Sequence, residues 1–202
     1  MDNTILYLIG FPGTGKLTIA EEICRREPGF KLLHNHLIND PLFTVLDLDG
    51  KTPIPGRVWD NQMKIWRAVL DTIVHVSPPR MSFIFTNHLS QDHPGDVAWF
   101  GEIQGMAEAR GARFVPVRLT IDPEEHARRI TTEERRARMK QTDPDAPARY
   151  ARDNQLIRVD HPNCLNLDVT DFSAGAAASH ILEFVEHRDQ ASSASPFSPS
   201  TT

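Results

Sequence analysis

The sequence predicts a three-layer α/β/α protein built on a five-stranded, mainly parallel sheet, and three observations support this fold class. Short apolar segments of strand length alternate with segments of helix length, which is typical of a parallel sheet covered by helices on both faces. The first apolar segment, residues 5–9, has no polar interruption, as expected of a central strand buried on both faces. The chain of 202 residues is also long enough to bury the core of one such domain without a metal ion or a disulfide.

The first part of the chain is predicted to contain two strands with one helix between them. After the strand at residues 5–9, two isoleucines four positions apart and the stop signal Pro28-Gly29 predict a helix over residues 17–26. Residues 30–33 form the second short strand. The Pro- and Gly-rich stretch over residues 41–56 predicts a surface excursion that carries a short helix.

A long amphipathic helix is predicted over residues 58–76, where apolar side chains recur at spacings of four, three, four and three. These positions are Trp59, Met63, Trp66, Leu70 and Ile73. The bulky tryptophans are expected to belong to the core rather than to line a pocket. Residues 81–86 are predicted to form the third strand. The next helix is predicted over residues 97–110, and Gly111 ends it.

The last part of the chain completes the alternation. Residues 113–121 are predicted to be the fourth strand, and Pro123 begins a helix because proline is tolerated at a first helical position. Residues 165–169 alternate as a fifth strand. Residues 174–185 place four apolar side chains on one face of a final helix.

The composition points to a protein of the reducing cytoplasm with one domain over residues 1–187. Two cysteines are too few for a disulfide framework or a zinc cluster. No segment is long and apolar enough to cross a bilayer, and the first residues lack the features of a secretory peptide. The 22 basic and 27 acidic residues give a net charge of −5, which argues against nucleic acid or a membrane as a partner. The Ser-, Pro- and Thr-rich tail, residues 188–202, is expected to be disordered.

A glycine-rich loop between the first strand and the first helix predicts a phosphate-binding site. Its residues are Gly10, Phe11, Pro12, Gly13, Thr14, Gly15, Lys16, Leu17 and Thr18. Gly10 and Gly15-Lys16 have the Walker A spacing. Backbone N–H groups that converge on a phosphate oxygen need glycine dihedrals, the helix N-terminus adds partial positive charge, and Lys16 supplies a full charge to the outer phosphates. The alternative is a glycine-rich turn that binds no ligand.

The loop departs from the general motif at the residue after the lysine. That residue is normally Ser or Thr and binds magnesium through its hydroxyl, whereas this sequence has Leu17 followed by Thr18. The pattern Gly-x-Pro-Gly-x-Gly-Lys-x-Thr resembles the loop of adenylate-kinase-type enzymes, which also lack that hydroxyl. Over about residues 3–187 the chain resembles the small P-loop kinases: the shikimate, gluconate and nucleoside monophosphate kinases and chloramphenicol phosphotransferase.

This resemblance implies the P-loop NTPase fold, ATP and magnesium as cofactors, and transfer of the γ-phosphoryl group of ATP to a small-molecule acceptor. Either Thr18 or water would then contact the magnesium ion. The resemblance also makes Thr170, which follows the fifth strand, a candidate for contact with the adenine.

A basic segment near residue 130 fits the position of the lid in these kinases. Its basic residues are Arg128, Arg129, Arg135, Arg136, Arg138 and Lys140. By resemblance, a small lid over about residues 129–145 closes over ATP, and its arginines stabilise the negative charge that develops on the transferred phosphoryl group. Arg128, Arg135 and Arg138 are the catalytic candidates. For each of them the alternative is a solvated helix with ion pairs between residues four apart.

The acceptor is expected at the carboxyl ends of the second and third strands. His36 and Asp40 are the nearest candidates for a base that orients and deprotonates an acceptor hydroxyl. Each histidine is alternatively an ordinary polar packing residue. The third strand lacks the terminal Asp that often completes magnesium binding, and Thr86 and Asn87 stand there instead.

Three functions compete for this sequence. The leading one is an ATP-dependent phosphotransferase, a kinase for a small molecule. A nucleotide-hydrolysing module that signals to a partner normally needs an acid after the third strand, and residues 82–87 contain none. A kinase for nucleic-acid ends needs a basic groove, against which the net charge of −5 argues.

Overall fold

A five-stranded parallel sheet forms the middle layer of the computed structural model, which describes residues 1–49, 52–130 and 152–193. The strands are β1 (Thr4–Ile9), β2 (Phe30–His34), β3 (Ser82–Asn87), β4 (Arg113–Thr120) and β5 (Leu165–Asp168). Their order across the sheet is β2-β3-β1-β4-β5, and every neighbouring pair is parallel. This sheet confirms the predicted fold class and places β1 at its centre.

The described residues form six helices that cover the two faces of the sheet. They are α1 (Lys16–Arg26), α2 (Asn35–Phe43), α3 (Gly56–His75), α4 (Pro94–Arg110), α5 (Pro123–Ile130) and α6 (Ala174–Ser193). None of the helices in the described part of the chain combines the length and the apolar character that a membrane span requires.

The hydrophobic core consists of two clusters, one on each face of the sheet. Successive side chains of a strand point to opposite faces, so β1 contributes to both clusters. Leu6 and Leu8 pack with the apolar faces of α1 and α6. Ile5, Tyr7 and Ile9 pack with the apolar faces of α3 and α4. Burial of β1 on both sides is the reason that its sequence carries no polar interruption.

The helix boundaries differ from the predicted ones at several points. The short helix α2 begins directly after β2, at Asn35, rather than within the Pro- and Gly-rich stretch. In α3, Trp66 is core as expected, whereas Trp59 is 42% exposed and packs edge-on against Phe43 of α2. Helix α6 continues beyond its apolar face to Ser193, so the predicted domain boundary at residue 187 falls inside a helix.

Two predicted features lie wholly or mostly outside the described residues. The lid was expected over about residues 129–145, of which Arg129 and Ile130 at the end of α5 are described. The rest of the predicted lid, and residues 194–202 of the predicted tail, lie outside the described ranges. Both remain predictions.

Candidate functional site

The glycine-rich loop connects the end of β1 to the start of α1 and turns sharply between them. Gly13 and Gly15 have φ angles of 102° and 88°, in the left-handed region that residues with side chains rarely adopt. Gly15 immediately precedes α1, and its carbonyl accepts the N–H of Ile19 at 2.9 Å. The loop therefore leads into the N-terminal end of α1, where the first N–H groups have no partner within the helix and can bind an anion.

Two glycines of the loop are also required by close packing. A Cβ atom at Gly10 would lie 2.8 Å from Thr14 Oγ1 and 3.0 Å from the carbonyl oxygen of Leu119 in β4. The N–H of Gly10 donates to the carbonyl oxygen of Asn87 at 3.3 Å. A Cβ atom at Gly13 would meet side chains of α5 at 2.8–3.0 Å. The loop is thus held tightly between β3, β4 and α5.

Lys16, the first residue of α1, folds back over the beginning of the loop. Its Nζ atom donates to the carbonyl oxygens of Gly10 at 2.7 Å and Phe11 at 2.8 Å. The full positive charge therefore lies on the concave side of the turn, close to the end of α1 that carries partial positive charge. This arrangement is electrostatically complementary to a chain of phosphates.

Thr18 is the residue of the loop that the sequence predicts to contact a magnesium ion. Leu17 is half-buried in the first turn of α1, and the Thr18 side chain beside it is exposed. Among the residues that the structure describes, no three His, Cys, Asp or Glu side chains are grouped as metal ligands. Magnesium often takes few protein ligands and completes its shell with water and substrate phosphates. Thr18 would supply one oxygen to such an ion.

Helix α5 packs directly on the glycine-rich loop through two buried side chains. Ile130 contacts Gly13, and His126 is only 4% exposed. The Nε2 atom of His126 lies 2.7 Å from the carbonyl oxygen of Pro12. The sequence analysis did not select His126, because nothing in the local pattern distinguishes it from a polar residue at the start of the expected lid.

The two arginines at the end of α5 have different environments. Arg128, a predicted catalytic residue, is 72% exposed and pairs with Glu125 of its own helix at 2.6 Å. Arg129 donates through Nη2 to the carbonyl oxygens of Val169 and Thr170, at 2.8 and 2.9 Å, and so ties α5 to the segment after β5. Hydrogen bonds from both arginines lower the pKa of the Glu125 carboxyl to about 2. Arg135 and Arg138, the other catalytic candidates, lie outside the described residues.

Thr170 lies where β5 gives way to α6, beside the start of α5. Its hydroxyl oxygen accepts the N–H of Asp122 at 2.8 Å, and its own N–H donates to Asp168 Oδ1 at 2.9 Å. Hydrogen bonds from Thr170 lower the pKa of the Asp168 carboxyl. The structure thus gives Thr170 a clear local role, which is to fasten this segment to α5.

The predicted acceptor residues His36 and Asp40 lie together on α2. Their side chains are 52% and 67% exposed, and His36 Nδ1 is 3.7 Å from Asp40 Oδ1. They are four residues apart on one helix and form an exposed pair near the carboxyl end of β2.

The carboxyl end of β3 carries a buried polar network instead of an acid. The Tyr7 hydroxyl donates to Asn87 Oδ1 at 3.1 Å, and Asn87 Nδ2 donates to Asn35 Oδ1 at 2.9 Å. Burial raises the pKa of Tyr7 well above its ordinary value. The network connects β1, β3 and α2 at the edge of the sheet where the glycine-rich loop also lies.

His88 follows β3 directly and lies next to the loop. The centroid of its ring is 5.5 Å from that of Phe11. Burial, together with the positive charge of Lys16, lowers the pKa of His88 to about 4. This side chain is therefore neutral at physiological pH. The sequence favours His36 as the base candidate, because His36 follows the second strand.

A cavity of about 420 Å³ opens beside the loop at the carboxyl end of β4. Its walls come from Phe11, Thr14, Arg118, Leu119, Thr120, Ile121, Pro123, His126, Arg152 and Leu156. Arg118 is held by hydrogen bonds from Nε to the carbonyl oxygen of Ile157 at 2.7 Å and from Nη1 to Asn166 Oδ1 at 2.6 Å. Most of the lining is apolar, and the two arginines bring positive charge to it.

The segment that contains Arg152 is anchored to the segment after β3. Gln91 N–H donates to the carbonyl oxygen of Gln155 at 2.8 Å, and Ile157 N–H donates to that of Leu89 at 3.1 Å. Gln155 N–H in turn donates to Asp92 Oδ2 at 2.7 Å. These bonds close one wall of the cavity with residues that are distant in the sequence.

The comparisons with known proteins concern the fold. No protein-family model and no curated protein matches the sequence. A gluconokinase from Sinorhizobium meliloti 1021 superposes with a TM-score of 0.61 at 11% identity, over 96% of this chain and 98% of that one. A sugar kinase from Janibacter sp. HTCC2649 gives 0.58 at 13%, over 91% and 95%. The APS kinase of Mycobacterium tuberculosis, in complex with AMPPNP and APS, gives 0.53 at 15%, over 92% and 98%.

The chain has the fold of the small-molecule P-loop kinases. The predicted loop, residues 10–18, follows the central strand and lies at the carboxyl edge of the sheet. It leaves His36 and Asp40 on an exposed helix. His88, His126, Arg118 and Arg152 also lie at this edge, although the sequence analysis selected none of them.

Proposed function

We propose that the protein is an ATP-dependent phosphotransferase that uses magnesium and a small-molecule acceptor. The observation that carries this proposal is the position of Lys16, whose Nζ atom lies 2.7 and 2.8 Å from the carbonyl oxygens of Gly10 and Phe11. A cation held on the concave side of a glycine-rich turn before a helix is the arrangement that binds a polyphosphate. The fold, which is shared with kinases, supports the same conclusion.

In the proposed reaction, the oxygen of an acceptor hydroxyl forms a bond to the γ-phosphorus of ATP. The bond from that phosphorus to the β–γ bridging oxygen breaks, and ADP leaves with the bonding electrons. The hydroxyl proton passes to His36 or Asp40, the predicted bases. The backbone N–H groups of residues 10–18 and Lys16 hold the β- and γ-phosphates. Magnesium, with Thr18 as one neighbour, would neutralise charge on the outer phosphates.

The predicted lid arginines Arg128, Arg135 and Arg138 would stabilise the charge that spreads over the transferred group. The side chain of Arg128 is exposed and pairs with Glu125 of the same helix. Thr170 would lie near the adenine, on the segment that α5 holds in place.

The cavity at the carboxyl end of β4 combines positive charge with an apolar frame, and it lies on the other side of the glycine-rich loop from His36 and Asp40. Arg118 and Arg152 provide the positive charge, and side chains such as Leu119 and Leu156 provide the apolar surface. A volume of about 420 Å³ suits a small molecule rather than a polymer.

The function is tested by incubating the protein with magnesium-ATP and a panel of hydroxyl compounds, half of which carry a carboxylate or phosphate group. Production of ADP above the background without acceptor is expected for at least one compound. ADP production that no acceptor increases would indicate a nucleotide-hydrolysing module instead. A failure of both ATP and GTP to bind in calorimetry would contradict the proposal altogether.

Replacement of Lys16 by alanine is the sharpest variant for this test. Lys16→Ala removes the charge at the phosphates, and we expect acceptor-dependent ADP production to fall by at least about a hundredfold and ATP affinity to weaken. The matched control is Lys64→Ala, because Lys64 is exposed on α3 and pairs with Asn61. Unchanged turnover in Lys16→Ala would remove the loop from the mechanism.

A further inference from the structure

We infer that His126 is a positioning residue that sets the orientation of the peptide between Pro12 and Gly13, and so prepares the glycine-rich loop for a polyphosphate. The inference rests on the proposed function and deepens it. Its basis is the distance of 2.7 Å between His126 Nε2 and the carbonyl oxygen of Pro12, at a side chain that is almost completely buried.

The direction of this hydrogen bond follows from its chemistry. A carbonyl oxygen can only accept, so the proton must be on Nε2 of the imidazole. The imidazole is buried, whereas Pro12 lies on the exposed side of the loop, so loss of the donor would leave the Pro12 carbonyl oxygen with water in place of a fixed partner.

The hydrogen bond controls a peptide that would otherwise rotate easily. The carbonyl of Pro12 and the N–H of Gly13 belong to one planar unit and point in opposite directions. When the carbonyl points to His126, the N–H of Gly13 points away from α5. Gly13 has no side chain to oppose rotation of this unit, and its φ of 102° lies in the region that only glycine enters easily. His126 thus supplies the restraint that the glycine lacks.

The donor is itself fixed because α5 is also anchored to the segment after β5. Arg129 donates to the carbonyl oxygens of Val169 and Thr170, and the N–H of Asp122 donates to the Thr170 hydroxyl. Ile130, one turn after His126, fills the space against Gly13. The helix therefore acts as a rigid support from which His126 holds the loop. In the sequence, α5 is followed by the basic segment with Arg135 and Arg138.

The test uses two variants that both carry a side-chain amide but differ in side-chain length. In His126→Gln, the side-chain amide nitrogen can take the place of Nε2 and donate to the Pro12 carbonyl. In His126→Asn, the shorter side chain does not reach it. His126→Leu removes the donor and keeps an apolar filling. His161→Leu is the control, because His161 is also a partly buried histidine but packs against Phe114, away from the loop.

The measurements are calorimetric affinities for ATP, ADP and AMP, with thermal unfolding of each ligand-free variant. We expect ATP and ADP affinities to fall about tenfold in His126→Asn and His126→Leu, and to stay within about twofold of wild type in His126→Gln. AMP affinity should change least, since AMP lacks the outer phosphates that the loop holds. In turnover assays the KM for ATP should rise more than kcat falls.

A purely structural role would give a different result. The melting temperature would fall in the Asn and Leu variants while ATP and ADP affinities stayed equal to wild type, and this outcome would overturn the inference. Equal losses in His126→Gln and His126→Asn would overturn it as well, because reach would then not matter. If the wild-type protein itself bound neither ATP nor ADP, the proposed function would fail and the inference with it. Failure of the inference alone would appear only in the variants, while the wild-type protein still bound both nucleotides.

Discussion

His88 shows how single residues at the site depend on each other's charge. Its ring packs beside that of Phe11. Burial, together with the positive charge of nearby Lys16, lowers the pKa of His88 to about 4. Asp96 opposes this effect and His93 adds to it. A neutral imidazole next to Lys16 leaves the positive charge of the loop concentrated on the lysine. His88 therefore adds no second cation beside the loop.

The lowered pKa of His88 predicts that the fold loses stability as the pH falls. An unfolded histidine titrates near 6.5, whereas His88 in the folded protein titrates near 4. Between these values the unfolded chain binds the proton more readily, so the free energy of unfolding rises with pH in this window and is lost on acidification. Since solvent screens part of the effect at a partly exposed side chain, the change amounts to about 1–2 kcal/mol.

Urea denaturation at pH 7, 5.5 and 4.5 measures this dependence. His88→Gln should show a smaller loss of stability on acidification than wild type. His187→Gln, a substitution at an exposed histidine of α6, should behave as wild type does. Equal pH dependence in all three proteins would contradict the assignment.

Helix α5 contacts two of the segments that surround the site. One side of this eight-residue helix contacts the glycine-rich loop through His126 and Ile130. The same helix is bound to the segment after β5 through Arg129. The two loops that flank the nucleotide in the proposed function are thus joined by one short helix. A shift of α5 would move both loops together.

Arg129→Ala tests this role of α5 at the level of the element. The substitution leaves the carbonyl oxygens of Val169 and Thr170 without a charged donor, and we expect the free energy of unfolding to fall by about 1.5–3 kcal/mol. Arg128→Ala is the matched control, because Arg128 is the neighbouring arginine on α5, is 72% exposed and pairs with Glu125 of the same helix. Chemical denaturation of both variants gives the comparison. A loss of stability as large in Arg128→Ala would show that the position on α5, and not the carbonyl contacts, matters.

At the scale of the whole molecule, strand order determines which residues can meet. With β1 in the centre, the loop after β1 lies between the ends of β3 and β4. His88 therefore comes to the loop from one side, and Arg118 and His126 come from the other. The segment with Arg152 then bridges the two sides through its bonds to Leu89 and Gln91.

The same architecture predicts where a core substitution is most damaging. Ile84 is fully buried in β3, between β1 and β2, and Ile84→Ala should lower the free energy of unfolding by about 2–5 kcal/mol because it leaves a cavity in a close-packed layer. Val76→Ala, at a side chain that is 72% exposed, should change it by less than about 0.5 kcal/mol. Urea denaturation curves of the two variants test this. Equal denaturation midpoints for the two variants would contradict the burial of Ile84 between the layers.

The fold class and the sharp glycine-rich turn before the first helix could be predicted from the sequence because both depend on residues that are close together in the chain. A continuous apolar strand, a glycine-rich turn and a capped helix are local patterns, and residues 5–26 contain all three. The hydrogen bond from His126 to Pro12 joins residues 114 positions apart, and no local pattern encodes it. The cavity with Arg118 and Arg152 likewise depends on which strands are neighbours.

The sequence by itself therefore determined that this chain forms an α/β fold with a parallel sheet and a glycine-rich loop after its first strand. Only the tertiary structure decided which side chains support that loop, because the sheet order β2-β3-β1-β4-β5 brings α5 and the ends of β3 and β4 around it. Local patterns arise from the periodicity of strands and helices, whereas the surroundings of a site arise from packing between distant segments.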